Sequence, residues 1–134
     1  MNLQRIFWLT VLVHAAFASM RVTVSLFALH LEASALTVGI IVALTAFLPM
    51  LASVHAGRII DRVGPRRPMV IGAALIAVAA GCAAALPRLE TLFVVTTLAG
   101  FGFLLFHIAV HQAVGLLGVE HERTRNFSVL ALAF

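Results

Sequence analysis

The stretch GRIIDRVGPRRP, residues 57–68, decides the fold, because it places five charged side chains between two long apolar runs. These charged residues are Arg58, Asp61, Arg62, Arg66 and Arg67. Within the stretch, the pair Gly64-Pro65 favours a reversal of the chain, since both residues are typical of turns. The pattern therefore predicts two membrane-crossing helices joined by a short basic connector.

The rest of the chain has the composition of a membrane protein. Of its 134 residues, 63% are hydrophobic and 10% are charged, and the mean hydropathy is +1.13. Such a chain has too little polar surface to enclose a soluble core, so the lipid bilayer is its expected surrounding. The net charge of +4 comes from arginines in the breaks between apolar runs, which argues against a nucleic-acid partner. We predict an all-α fold, a multi-pass transmembrane helix bundle.

Four apolar runs are long enough to cross a bilayer. They predict helices at about residues 6–31, 38–57, 69–86 and 91–118, with a fifth helix starting at about residue 127. The apolar residues from 127 to 134 fill less than half a span. We therefore expect residues 1–134 to form an incomplete amino-terminal transmembrane domain, with the missing carboxy-terminal helices of the same protein among its partners.

Two of the runs carry features that predict how they pack. Pro49 removes a backbone hydrogen bond from the second run, which predicts a kink near Thr45. The third run has small residues on one face, namely Ala73, Ala77, Gly81 and Ala84. In lipid, such a face lets neighbouring helices approach closely.

The first run has an alternative reading as a secretory signal. Arg5, the apolar residues 6–13 and the sequence Ala16-Phe17-Ala18 resemble a signal with its cleavage site. The apolar pattern resumes after Arg21, which favours a full span.

The distribution of arginine predicts the orientation. With the amino terminus inside, seven arginines fall on the cytoplasmic side, and only Arg88 falls outside. The seven are Arg5, Arg58, Arg62, Arg66, Arg67, Arg123 and Arg125. We therefore expect a multi-pass protein of the cytoplasmic (inner) membrane with its amino terminus inside.

Residues 57–67 resemble the signature loop of the major facilitator superfamily, G-x-x-x-D-R-x-G-x-R-[RK], which lies between the second and third helices of that family. Here the motif lies between the second and third predicted helices, and residues 120–126 resemble the family loop between helices four and five. The resemblance implies a secondary active transporter that moves a small solute by alternating access. It also implies twelve helices in two halves, of which this chain would be the first part.

The resemblance implies that the signature loop latches one conformation of the gate. The residues concerned are Gly57, Arg58, Asp61, Arg62, Gly64, Arg66 and Arg67. We expect Gly57 to allow close approach to a neighbour, Gly64 to adopt a positive φ, and Asp61 to accept charge-assisted hydrogen bonds from arginine. In the alternative reading, the arginines only anchor the topology at the lipid headgroups.

Several polar side chains fall inside the predicted spans. Arg21 is near the middle of the first helix, where a charge facing lipid costs about 3 kcal/mol, so we expect it to face protein or water. His14 shares its face, and His107 and His111 are four residues apart on the fourth helix. Opposite chain directions bring His14 and His107 to similar depths.

In the resembled fold, the first and fourth helices line the central cavity. We therefore predict a cavity wall of His14, Arg21, His107 and His111 that attracts an anionic group, with a histidine available to carry a coupled proton. The alternatives are a structural ion pair or snorkelling for Arg21, and neutral buried imidazoles for the histidines.

The fourth helix departs from the family at one position. Family members often carry R-x-x-x-G-x-G in this helix, with an arginine implicated in proton coupling. Gly100 and Gly102 match the glycines, but Thr96 stands at the arginine position. This departure leaves uniport, symport or a coupling site elsewhere open.

Two other classes of protein remain as alternatives. A four-helix haem protein for electron transfer would need histidines on facing helices, such as His14 and His107. A small membrane subunit could act by docking to a partner. The sequence carries no enzyme signature, and we predict neither a cofactor nor a metal site; Cys82 is the single cysteine.

Overall fold

The computed structural model describes residues 2–117 and 120–133, and within them it forms six helices and no strand. The helices are α1 (Leu3–His30), α2 (Ala35–Leu44), α3 (Phe47–Val63), α4 (Arg66–Ala85), α5 (Leu89–Gly115) and α6 (Glu120–Ala131). The prediction that the fourth span reaches residue 118 falls partly outside the described residues.

Four segments are long and apolar enough to cross a membrane: α1, α2 together with α3, α4 and α5. Large apolar side chains are exposed along them, as on Leu12, Val54 and Val94. Lipid is the solvent that such a surface requires, so the all-helical, membrane-spanning fold class is confirmed.

Helix α5 is the centre of the bundle, because it contacts each of the other five helices. Its residues contribute to both hydrophobic clusters of the core. Phe106 and Val110 pack with Ile6 and Ile60 in one cluster, and Val95 packs among residues of α1, α2 and α4 in the other. A helix that is apolar on all sides is expected in this position.

The second span is broken at Thr45 and Ala46, where the prediction placed a kink. The backbone carbonyl of Thr45 would normally accept a hydrogen bond from residue 49, but proline has no N–H to donate. Pro49 itself lies in the first turn of α3, where helical residues need no donor of their own. The break therefore follows directly from one proline.

The arginine-rich stretch is mostly helical, which corrects the expected loop over residues 57–68. Helix α3 continues to Val63 and α4 begins at Arg66, so only Gly64 and Pro65 connect them. Gly64 adopts the positive φ that was predicted, at 78°. The last turns of α3 stay helical because Ala56 and Ile60, four residues apart, are buried against the core.

Helix α6 begins at Glu120, not at about residue 127. The polar residues that suggested a loop therefore form its first two turns. Asn126 is buried and donates a hydrogen bond from Nδ2 to the carbonyl of Leu117 at 3.1 Å, which ties α6 to the end of α5.

The closest helix pair is α4 with α5, and glycines make this contact possible. A Cβ on Gly102 would lie 2.7 Å from the carbonyl oxygen of Gly72. The packed face of α4 is Gly72, Ile76 and Ala79. The predicted small-residue face was wrong for this contact, since Ala77, Gly81 and Ala84 are exposed and only Ala73 is partly buried.

Candidate functional site

A cavity of about 310 Å³ lies where α1, the break in the second span and α5 meet, and we call it the Arg21 cavity. Its lining residues are Phe17, Arg21, Thr45, Ala46, Pro49, Met50, Gly100, Phe103, Leu104 and His107. Two of the four residues predicted to form a cavity wall, Arg21 and His107, therefore line the same space. Their positions come from helices that are adjacent in the bundle but far apart in the sequence.

Arg21 brings a permanent positive charge to this cavity. The residue is exposed, and no carboxylate is present among the described lining residues. Two hydroxyls of α1 bond to backbone carbonyls of the same helix and do not line the cavity among the described residues: Thr10 donates to Ile6, and Ser25 donates to Arg21. The guanidinium is therefore the main polar feature that α1 contributes.

The histidines form a chain of ring contacts along α5. The ring of Phe103 lies 5.3 Å from that of His14 and 5.4 Å from that of His107, measured between centroids. His107 in turn lies 4.5 Å from His111. The rings of His14 and His107 therefore both contact the ring of Phe103.

His111 does not line the Arg21 cavity among the described residues. Its Nδ1 lies 2.9 Å from the carbonyl oxygen of His107, and its ring faces Phe127 of α6 at 6.4 Å. His14 is likewise absent from the described lining, and its ring contacts Phe103, which lines the cavity. Of the four predicted residues, Arg21 and His107 therefore line the cavity, and His14 and His111 do not.

Sequence reasoning missed the apolar part of the lining. Phe17 and Phe103 stack at 4.2 Å with their planes 9° apart and form one wall. Gly100 packs against the carbonyl of Thr45, and a Cβ there would also lie 3.0 Å from Pro49 Cγ. The glycine in α5 and the proline in α3 were both visible signals, but their pairing depends on the register of two distant helices.

Thr96, which stands at the family's arginine position, does not line the cavity among the described residues. Its side chain is buried and its hydroxyl donates to the carbonyl of Leu92 at 2.8 Å. The threonine satisfies its own polar group within α5, so Arg21 on α1 supplies the charge of this cavity instead.

The haem alternative named His14 and His107 as axial ligands, and the rings of both residues contact the ring of Phe103. Across the described residues, no three His, Cys, Asp or Glu side chains come together in a group that could hold a metal ion. The absence of a cofactor stays a prediction.

Asp61 of the arginine-rich stretch contacts the central helix. Its Oδ1 accepts a hydrogen bond of 3.0 Å from Nε2 of Gln112, fifty-one residues away on α5. The other amide atom of Gln112, Oε1, is buried and accepts no hydrogen bond from the described residues. Gln112 was not predicted as a site residue, because a neutral amide in an apolar run is an inconspicuous signal.

The other predicted latch residues differ from expectation. Within the part of the chain that the structure describes, no ion pair joins Asp61 to an arginine, and Arg58, Arg62, Arg66 and Arg67 are all exposed. Apart from the adjacent residues and the backbone of its own helix, no described atom lies within 4 Å of a Cβ built on Gly57, so none of the described helices makes the expected close approach. The side-chain hydrogen bond from this stretch to α5 comes from an amide and not from an arginine.

Comparison with known proteins gives one match. The family model described as Major Facilitator Superfamily matches residues 6–134, which is nearly the whole chain. The matched region includes the first apolar run, which had the alternative reading as a secretory signal. No curated protein and no solved structure matches the chain.

Proposed function

The chain belongs to the major facilitator superfamily, a family of membrane transporters, and we propose that it serves secondary active transport of a small solute by alternating access. The Arg21 cavity is the proposed binding site for the solute. It lies between helices of different chain direction and beside a broken span, as solute sites in such transporters commonly do.

The observation that carries this proposal is the pairing of Arg21 with His107 in one cavity. An arginine in a membrane span is costly unless it faces protein or water, and it is retained where a function requires it. Its planar guanidinium matches carboxylate or phosphate groups, and the stacked rings of Phe17 and Phe103 offer an apolar wall. We infer a solute with an anionic group and an apolar body.

Proton coupling through histidine is part of the proposal. His107 and Arg21 both line the cavity, the ring of His14 contacts Phe103, and His111 lies one turn along α5 from His107. An imidazole titrates in the physiological range, so a change of charge on His107 could follow solute binding or release.

The arginine-rich stretch is proposed as the gate latch, with Asp61 bonded to Gln112 in the latched state. This hydrogen bond joins the end of α3 to α5, so its breakage would free the two helices to separate. We also propose that the latch faces the cytoplasm at the inner membrane, with the amino terminus inside, since most loop arginines lie at that end.

The Arg21 cavity is open on one side, where Arg21 is exposed. We propose that further helices of the complete transporter form the opposite wall. A solute held between two walls can be released to either side of the membrane as the walls rock against each other.

A flux measurement on the complete gene product tests the proposed site. In membrane vesicles, uptake and efflux of candidate organic anions are measured at several external pH values. We expect Arg21→Gln to abolish saturable flux, since the charge that binds the anion is gone. We expect His107→Ala to change the pH dependence of flux.

Matched controls are Arg88→Gln and His55→Ala, because neither residue lines the Arg21 cavity among the described residues. Both controls should keep wild-type flux and pH response. Wild-type flux and pH response in Arg21→Gln and His107→Ala would show that the assigned cavity is wrong.

A further inference from the structure

A second cavity, of about 600 Å³, lies at the end of the bundle where α1 and α4 begin and α5 ends. Two arginines from different helices line it, Arg5 of α1 and Arg66 of α4, so we call it the Arg5–Arg66 cavity. It shares no described lining residue with the Arg21 cavity. Its chemistry therefore needs an explanation of its own.

The floor of the Arg5–Arg66 cavity is apolar. Ile6 and Met69 are buried in the core below it, whereas Leu9 is 43% and Leu116 is 70% exposed. Exposed leucines beside a cavity of this size offer contact to an apolar ligand that approaches along the bundle.

All of the charge on the described lining of the Arg5–Arg66 cavity is positive. Apart from Arg5 and Arg66, the described lining residues are all apolar. The one ion pair found among the described residues joins Arg125 to Glu122, so it satisfies neither Arg5 nor Arg66. Two cations beside an apolar floor favour a ligand that is anionic at one end and apolar at the other.

The depth of the cavity agrees with the level of lipid headgroups. Trp8 lies one turn from Arg5 on α1, is 57% exposed, and packs edge-on against Phe7 at 5.4 Å. Exposed tryptophan on a membrane span is typical of the interface between headgroups and acyl chains.

We propose that the Arg5–Arg66 cavity binds an anionic phospholipid from the leaflet on that side. The phosphate lies between the two guanidinium groups, each of which presents a planar fork that matches phosphate oxygens. The first part of an acyl chain lies against Leu9 and Leu116. A zwitterionic lipid fits less well, because its headgroup cation would lie beside two arginines. A soluble anion also fits less well, because it would leave the apolar floor exposed to water.

The bound lipid would add a contact between the beginnings of α1 and α4, which already meet in the core cluster that contains Ile6 and Met69. Because Arg66 also belongs to the stretch proposed as the gate latch, lipid composition could influence the same end of the bundle. The binding site itself does not depend on the proposed transport function.

The test is lipid binding to the purified gene product in detergent, measured by native mass spectrometry. The probes are phosphatidylglycerol, phosphatidylcholine and glycerol 3-phosphate. We expect saturable binding of phosphatidylglycerol that falls about 30-fold in the double variant Arg5→Gln, Arg66→Gln, because each arginine contributes roughly fivefold at a membrane surface.

The matched control is the double variant Arg123→Gln, Arg125→Gln, which removes two exposed arginines of α6 that do not line the cavity. It should keep wild-type affinity for phosphatidylglycerol. Equal loss in both double variants, or no loss in the first, overturns the proposal. Both pairs of arginines are exposed, and an unchanged thermal midpoint checks that the variants fold.

The three probes separate a lipid site from a phosphate site. Phosphatidylcholine and glycerol 3-phosphate should each bind at least tenfold more weakly than phosphatidylglycerol. The variant Leu9→Gln should weaken phosphatidylglycerol several-fold, because it places a polar group on the wall that contacts the acyl chain. Equal affinity for glycerol 3-phosphate, or wild-type lipid affinity in Leu9→Gln, overturns the assignment to a lipid.

Discussion

At the scale of single residues, a side-chain hydrogen bond between Asp61 and Gln112 joins the charged stretch to the central helix, beside the buried Ile60. Here a carboxylate accepts a hydrogen bond from a neutral amide. The bond is exposed, so water can compete for both groups and its net contribution is modest. An interaction of this kind is well suited to a contact that breaks and re-forms.

Exchanging the carboxylate and the amide between residues 61 and 112 tests this contact. Gln112→Glu puts two carboxylates together and should lower the free energy of unfolding by about 1 kcal/mol. Adding Asp61→Asn should recover most of that loss, since the asparagine amide can donate to the new carboxylate on α5 in a pair of nearly the same shape. The measurement is a double-mutant cycle on thermal stability in detergent.

A double variant that is as unstable as the sum of its two single variants would contradict the contact. Asp61→Asn alone provides the control, because it leaves two amides that can still form a hydrogen bond. Its stability should lie close to that of the wild type.

The sequence indicated the charged residues of the Arg21 cavity and of the proposed latch, but it did not indicate which residues they contact. Arg21 and His107 stand out because polar groups are rare in apolar runs. Gln112 does not stand out, and Asp61 next to four arginines suggests an ion pair. Which partner is reached depends on how far α5 is rotated and shifted against α3, and local patterns carry no information on that register.

At the scale of elements, the broken second span shapes the Arg21 cavity. Thr45, Ala46 and Pro49 all line it, and the Thr45 carbonyl packs against Gly100 of α5. The two residues of the break and the proline that causes it therefore form part of the cavity wall. The break is thus a local consequence of proline that has an effect on the candidate site.

Replacing Pro49 should make the second span a continuous helix and thereby change the shape of the Arg21 cavity. In Pro49→Ala, residue 49 gains an N–H that can donate to the Thr45 carbonyl, so thermal stability should stay equal or rise. We expect flux to fall at least tenfold in the same protein. If Pro49→Ala keeps the thermal stability of the wild type and also its flux, the break does not serve transport.

The pairing of α4 with α5 makes a second prediction at this scale. In Gly102→Ala the new Cβ would lie 2.7 Å from the Gly72 carbonyl oxygen and 2.9 Å from Leu75 Cβ, so the helices must separate. We expect a loss of about 1–3 kcal/mol in unfolding free energy. Thermal unfolding in detergent measures it.

The matched control is Gly81→Ala on α4, where no described atom lies within 4 Å of an added Cβ. Its stability should change by less than about 0.5 kcal/mol, or rise slightly, since alanine favours helix. Equal losses in the two variants would contradict the described helix contact.

The number and order of spans could be predicted because length and hydropathy fix them. The ends of helices could not, since charged residues were read as loop although they continue as helix outside the apolar zone. Burial of Ala56 and Ile60 on one side of α3 decides this, with Arg58 and Asp61 on the exposed side. The spacing of those two apolar residues was the available signal.

At the scale of the whole molecule, α5 organises two sites that differ in chemistry. The Arg21 cavity lies between α1, α5 and the broken span, and the Arg5–Arg66 cavity lies at the end where α5 stops. The connection of α3 to α4 through Gly64 and Pro65 places the proposed latch at one end of the bundle, and Arg88 follows α4 at its opposite end.

The central claim is that the second span, formed by α2 and α3, and the third span, α4, cross the bilayer and meet at the cytoplasmic face. Its most direct test is labelling of single cysteines by a membrane-impermeant maleimide in intact cells and in opened membranes. The variants are Arg67→Cys and Arg88→Cys, both with Cys82→Ala. The account predicts that Arg88→Cys reacts in intact cells and that Arg67→Cys reacts only after the membranes are opened. Reaction of Arg67→Cys from outside, or of both positions from the same side, would contradict it.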